Sequence, residues 1–127
     1  MRTSVAVLGV SVLAAAAFVA GAYMGSVRGW GTGTVTARLV NESGRPIRAL
    51  TIEFRSCGAQ GVAVAGSLEP GETRMVRYTV CGEASYSVRA AFEDGRVLQG
   101  REGYVETGYR SVDVISANAI SSVQHFY

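Results

Sequence analysis

The chain has 127 residues, room for one small domain, and 48% of them are hydrophobic, an ordinary share for a globular protein. Twelve arginines, no lysine and ten acidic residues leave a net charge of +2, and sixteen glycines stand against two prolines. These values argue against a multidomain enzyme, a strongly basic nucleic-acid binder and a disordered acidic tail.

Residues 5–27 contain no charge. As a helix these 23 residues span about 34 Å at about 1.5 Å each, against a hydrocarbon core of about 30 Å. Two readings fit. A secretory signal peptide would be cut at the small-residue site Ala20-Gly21-Ala22, leaving Tyr23 as the new N-terminus. A retained signal anchor is favoured because the uncharged run continues to Val27 before Arg28 ends it. Tyr23 and Trp30 would then be interfacial anchors, where amphipathic rings are preferred. No cysteine lies near the segment, which rules out a bacterial lipid anchor. Ala17, Gly21, Gly25 and Gly29 recur every fourth residue and form a smooth stripe on a helix. The stripe reads equally as a packing face for a second transmembrane helix or as the small-residue bias of signal-peptide ends. The expected organisation is an anchor or signal over 1–28, a Gly-rich linker over 29–33 and an extracytoplasmic β domain over 34–127.

From Thr34 onward the pattern has a period of two. Residues 34–40 place Val35, Ala37 and Leu39 inward, and residues 41–46 are dense in turn formers. Residues 50–57 turn Leu50, Ile52 and Phe54 inward and leave Cys57 on the polar face. A weak edge strand covers 62–65. Glu69-Pro70-Gly71-Glu72 has the proline and glycine positions of a type II turn. Residues 75–81 follow with Val76, Tyr78 and Val80 inward and Cys81 outward. With one short strand between them, both cysteines end strands at the same end of the domain. A bridge there closes a loop of about 24 residues and is worth about 3 kcal/mol. Cys57–Cys81 is therefore expected to be a disulfide in an oxidising compartment, a bacterial periplasm or the cell exterior.

Residues 85–92 put Tyr86, Val88, Ala90 and Phe92 inward. Asp94-Gly95 predicts a two-residue hairpin with Glu93 opposite Arg96 and Phe92 opposite Val97. The next strand must bulge or stop near Gly100, because that register would set Arg101 against inward-facing Val88. Thr107-Gly108 marks a turn, residues 109–115 form another strand, and residues 116–127 fit a helix and a strand equally. Phe126 and Tyr127 at the C-terminus read first as cover for the domain's own core, or else as a docking element. About seven short strands at this length predict an antiparallel β-sandwich of immunoglobulin-like or transthyretin-like type.

Chemistry has little purchase. His125 is the lone imidazole and sits near the chain end, two cysteines are too few for a structural zinc site, and Gly29-Trp30-Gly31-Thr32-Gly33 precedes a strand and lacks the lysine of a phosphate loop. No catalytic residue, cofactor, metal or small-molecule substrate is expected. If the strands around Gly82 pair, Arg77 lies directly opposite Arg89, a like-charge pair that disfavours pairing by up to about 1 kcal/mol. That pair, with Arg38 and Arg55, is either a solvated face or an anion-facing patch for lipid headgroups or an acidic partner. From Gly29 on, ten arginines balance ten acidic residues, so the basicity belongs to the flanks of the apolar run. The sequence thus points to a non-catalytic, single-pass inner-membrane accessory or scaffolding subunit that contacts other membrane-protein subunits. A cleaved, soluble binding module of inhibitor or adhesion type is the alternative.

Overall fold

The computed structural model describes residues 33–126, together with Ala17, which is helical. Apart from Ala17, the predicted span 5–27 lies outside the described residues, as do Gly21, Tyr23, Gly25, Gly29, Trp30 and Tyr127. Among the described residues no helix is long and apolar enough to cross a membrane.

Among the described residues nine strands follow one another: β1 (Thr34–Asn41), β2 (Ile47–Ser56), β3 (Ala59–Leu68), β4 (Thr73–Thr79), β5 (Glu83–Phe92), β6 (Val97–Gln99), β7 (Gly103–Glu106), β8 (Tyr109–Ile115) and β9 (Ile120–Phe126). They form two sheets. Sheet A has the order β4-β1-β8-β9, and sheet B has β3-β2-β5-β6 with β7 also pairing β5. The chain reverses at every connection, with β6 and β7 forming one interrupted run. The lower end holds Gly33, both cysteines, the Thr107-Gly108 turn and Phe126. The upper end holds the turns at 41–46, 69–72, 93–96 and 116–119.

The inward residues follow the predicted alternation. Val35, Ala37, Leu39, Leu50, Ile52 and Ala90 are wholly buried, and Tyr86, Val88 and Phe92 nearly so. Each large apolar side chain so enclosed contributes about 1.5–3 kcal/mol. Across sheet B, Gly61 pairs with Phe54, Phe54 with Tyr86, and Tyr86 with Gly103. A Cβ on Gly61 would lie 2.4 Å from the Phe54 ring, and one on Gly103 2.8 Å from Tyr86. Two rings fill this layer because the residues flanking them have no side chain. Phe54 also packs on Tyr78 of the facing sheet, with ring centroids 4.8 Å apart.

Several expectations are corrected. The sandwich is not wholly antiparallel, because β1 and β8 pair in parallel, Thr36 with Arg110 through Asn41 with Ile115. Both strands climb from the lower end, so their adjacency fixes that direction. Nine strands replace about seven, since the run after Asp94 divides in two and residues 120–126 form a strand. The hairpin at Asp94-Gly95 is longer by one residue. Phe92 N–H donates to the Arg96 carbonyl at 2.8 Å, and Gly95 holds φ +89°, which makes a three-residue loop 93–95. Ala91 therefore faces Val97, and Phe92 does not. The strand does stop at Gln99, where Gly100 N–H donates to the Val88 carbonyl, and pairing resumes one register further at Gly103. The Glu69-Pro70-Gly71-Glu72 turn has the expected closing bond, with Glu72 N–H donating to the Glu69 carbonyl at 3.0 Å.

One side of the sandwich is closed by Arg74. Its guanidinium donates to the carbonyls of Ala65 and Ser67 on β3, both at 2.7 Å, and meets Glu72 at 2.6 Å. The Glu69 N–H and then Arg74 hold the Glu72 carboxyl below its ordinary pKa. The other side is bridged at its upper end, where the Arg96 guanidinium donates to the Ala117 carbonyl at 2.6 Å and to Asn118 Oδ1 at 3.4 Å.

Candidate functional site

The sequence reading missed a polar layer inside the sandwich. Asp113 on β8 is wholly buried and Ser111 nearly so, both on the inner face of sheet A. Ser111 Oγ donates to Asp113 Oδ2 at 2.8 Å. From sheet B, the Tyr86 hydroxyl donates to Asp113 Oδ1 at 3.1 Å and accepts from Gln124 Nε2 at 2.8 Å. Burial raises the Asp113 carboxyl above its ordinary pKa, while hydrogen bonds from Ser122, Ser111 and Tyr86 oppose the rise. Burial first, and then the Asp113 charge, also raise the Tyr86 phenol. Beside this layer the Tyr78 hydroxyl is buried with no hydrogen-bond partner. Its pKa is raised too, first by burial and then by Tyr86 and Asp113.

A cleft of about 400 Å³ opens above this layer at the β6–β7 interruption, between Arg101, Glu102, Gly103, Ile120, Ser122 and Gln124. Ser122 and Gln124 form its floor and turn their polar groups inward to Asp113 and Tyr86. The carboxyl beneath is closed off, and its lone pairs are occupied by neighbours. A shallow trough of about 600 Å³ runs over the outer side of sheet B, past Glu53, Arg55, Gln60, Ser85, Ser87 and Glu102. Among the described residues no three His, Cys, Asp or Glu side chains are placed to hold a metal ion.

At the upper end, buried Asn41 organises its own turn. Its Nδ2 donates to the carbonyls of Arg45 at 2.8 Å and Leu68 at 3.0 Å, and its Oδ1 accepts from the Ser43 N–H and hydroxyl. The residue thereby links β1 to the end of β3 across the sheets.

At the lower end Cys57 and Cys81 form the expected disulfide, with Cα atoms 5.7 Å apart. Both residues are exposed. Cys57 and Gly58 have φ +48° and +74°, the two positive values of a type I′ turn, so Cys57-Gly58 is itself a two-residue hairpin loop. The Ser56 hydroxyl accepts from Cys81 N–H at 2.7 Å and donates to the Glu83 carbonyl at 3.2 Å. This staple lies where the chain leaves sheet A for sheet B.

That crossing separates Arg77 from Arg89. Arg77 is on β4, opposite Thr36, and Arg89 is on β5, opposite Thr51 and Gln99. The two strands belong to different sheets, so the predicted like-charge pair does not form. The Val80–Gly82 bend enforces the switch: Val80 N–H donates to the Gly33 carbonyl at 2.7 Å, and Gly82 takes φ +73°. Arg38 shares the outer face of sheet A with Arg77, whereas Arg55 shares that of sheet B with Arg89. Phe126 is 67% exposed and does not cover the core. It leans on Tyr109 at 5.3 Å, and Tyr109 meets Tyr104 edge-on at 5.9 Å, an aromatic group at the lower end. Lost hydration and the carboxylates of Glu106 and Glu83 push the Tyr104 phenol up to about 12.

No family model matches the chain. No curated protein matches it in sequence either. Among solved structures it is similar to a protein from Eubacterium rectale determined by NMR, with a TM-score of 0.51 and 14% identity over 72% of this chain and 89% of that one. At that identity the likeness speaks for the fold alone.

Proposed function

We propose that this chain is a non-catalytic accessory or scaffolding subunit, anchored in a bacterial inner membrane by its apolar N-terminal segment. Its domain, read as an immunoglobulin-like or transthyretin-like sandwich, would stand in the periplasm or at the cell exterior and dock on a larger membrane-protein assembly. One observation carries the reading: an exposed disulfide lies at the end where the chain arrives from the uncharged run at residues 5–27. The stripe of Ala17, Gly21, Gly25 and Gly29 would pack against a neighbouring helix. No cofactor, nucleic acid or small-molecule substrate enters this reading.

A soluble module released after Ala22 is the second reading. It is favoured by β3, a ten-residue edge strand without charge or proline. Mild-detergent extraction with intact-mass measurement separates the two. Retention of the first 22 residues together with stoichiometric partners is the expected result. Their loss overturns the anchored reading, and an intact but solitary monomer overturns the subunit role.

A further inference from the structure

The outer face of sheet A differs from that of sheet B in its charges. Pairing sets Arg77, Thr36, Arg110 and His125 in one row across its four strands, and Met75, Arg38, Val112 and Val123 in the next. A third row, farther from Gly33, holds Thr73, Val40, Val114 and Ser121. Among its described side chains the face has three arginines and no Asp or Glu. The domain as a whole is balanced, so the missing carboxylates lie elsewhere: Glu42, Glu69, Glu72, Glu93 and Asp94 all sit at the upper end. Met75 and Val123 are 59% and 55% exposed at opposite edges of the basic rows. The outer face of sheet B also exposes valines, Val62 and Val64, but mixes Arg55 and Arg89 with Glu53.

The chain reaches sheet A directly. Gly33 leads into β1, a central strand of that sheet, and Arg28 through Thr32 are all that separate it from the apolar run. Five residues extend to about 17 Å at most, and Arg38 lies about the same distance along β1 from Gly33. Both arginine-bearing rows therefore lie nearer the tether than the third row, just beyond the Thr34–Thr79 pair. Arginine presents a planar fork of donors that matches phosphate oxygens, and exposed Met and Val can enter the headgroup boundary beside it.

We propose that the outer face of sheet A lies on the leaflet from which the domain emerges, with Arg38 and Arg77 against anionic phospholipid headgroups and Met75 and Val123 at their boundary. This rests on the membrane-anchored reading. An arginine near an anionic leaflet is worth about fivefold in the equilibrium, so Arg38→Gln with Arg77→Gln lowers the ratio of face-down to detached domain about 25-fold.

The test uses the full chain in lipid nanodiscs with a paramagnetic label on the headgroups, read by NMR broadening of methyl groups. In discs containing phosphatidylglycerol, Met75 and Val123 are expected to broaden several-fold more than Val62 and Val64. The contrast should vanish in phosphatidylcholine discs, in the double glutamine variant, and in 1 M salt, where screening falls to about 3 Å. A chain that separates from the disc overturns the anchored reading and this proposal with it. If the chain stays on the disc, equal broadening of the two valine faces overturns the proposal alone. A contrast that persists in phosphatidylcholine overturns the headgroup assignment.

Discussion

Two buried tyrosines of identical chemistry should respond oppositely to the loss of one oxygen. Tyr86→Phe removes a donor to the buried Asp113 carboxylate and an acceptor for Gln124. A hydrogen bond to a charged group is worth about 1.5–3 kcal/mol and a neutral one about 0.5–1.5 kcal/mol, so the variant should lose about 2–4 kcal/mol at pH 7. Tyr78→Phe removes a buried hydroxyl that has no partner, which should leave stability unchanged or raise it by about 1 kcal/mol. Urea unfolding of the oxidised chain, followed by its far-ultraviolet β signal, measures both. The Tyr86 loss should lower the midpoint by about 1 M or more with an unchanged slope. It should also shrink at low pH, where Asp113 carries its proton and the Tyr86 bond is no longer charge-assisted. Equal midpoints for the two variants would refute the idea that the Asp113 layer, and not ring packing, sets the role of these tyrosines.

Other consequences follow from the same layer and from the two ends of the sandwich. Asp113 has a folded pKa raised above its unfolded value near 3.8, so its contribution is fully present below that value and is lost as pH rises through the folded pKa. Asp113→Asn keeps an acceptor for Tyr86 and should be more stable than the parent at pH 7, with the gap closing on acidification; a gap independent of pH, measured by thermal melts across pH 3 to 8, would count against it. Replacing both Cys57 and Cys81 with serine frees a loop with a sequence separation of 24 and should cost about 3.5 kcal/mol in urea unfolding. Asn41→Asp points carboxylate oxygens at the Arg45 and Leu68 carbonyls and should cost about 3 kcal/mol or more at pH 7, seen as a lower Tm.

The alternation of apolar residues was legible in β1 and β5. Val35, Ala37 and Leu39, and Tyr86 through Phe92, are inward as their spacing requires. Sheet membership was not legible. Residues 80–82 resemble any short turn, and the switch between sheets depends on a bond to Gly33 that lies nearly fifty residues earlier in the chain. The parallel pairing of β1 and β8 likewise has no local signature. Asp94-Gly95 announced a hairpin but could not give its length, because glycine satisfies the third position of a longer loop as readily as the second of a short one. Asp113 was hidden by its neighbours. In Ser111-Val112-Asp113-Val114 the valines are the apolar alternates, yet the polar pair faces inward, because Tyr86, Ser122 and Gln124 meet it there.

The parallel ladder between β1 and β8 also fixes how the domain would answer a pull. Consider forces that draw β1 downward at Thr34 and β8 upward at Ile115. Those forces act along the two strands in opposite senses. The six registered pairs from Thr36 to Asn41 must then slide together before any one can part. A pull between Gly33 and Phe126, both at the lower end, instead opens the β8–β9 ladder one pair at a time, starting at Tyr109 and Phe126. The sandwich is mechanically stiff along β1 and β8, from Thr34 to Ile115, and weak between Gly33 and Phe126.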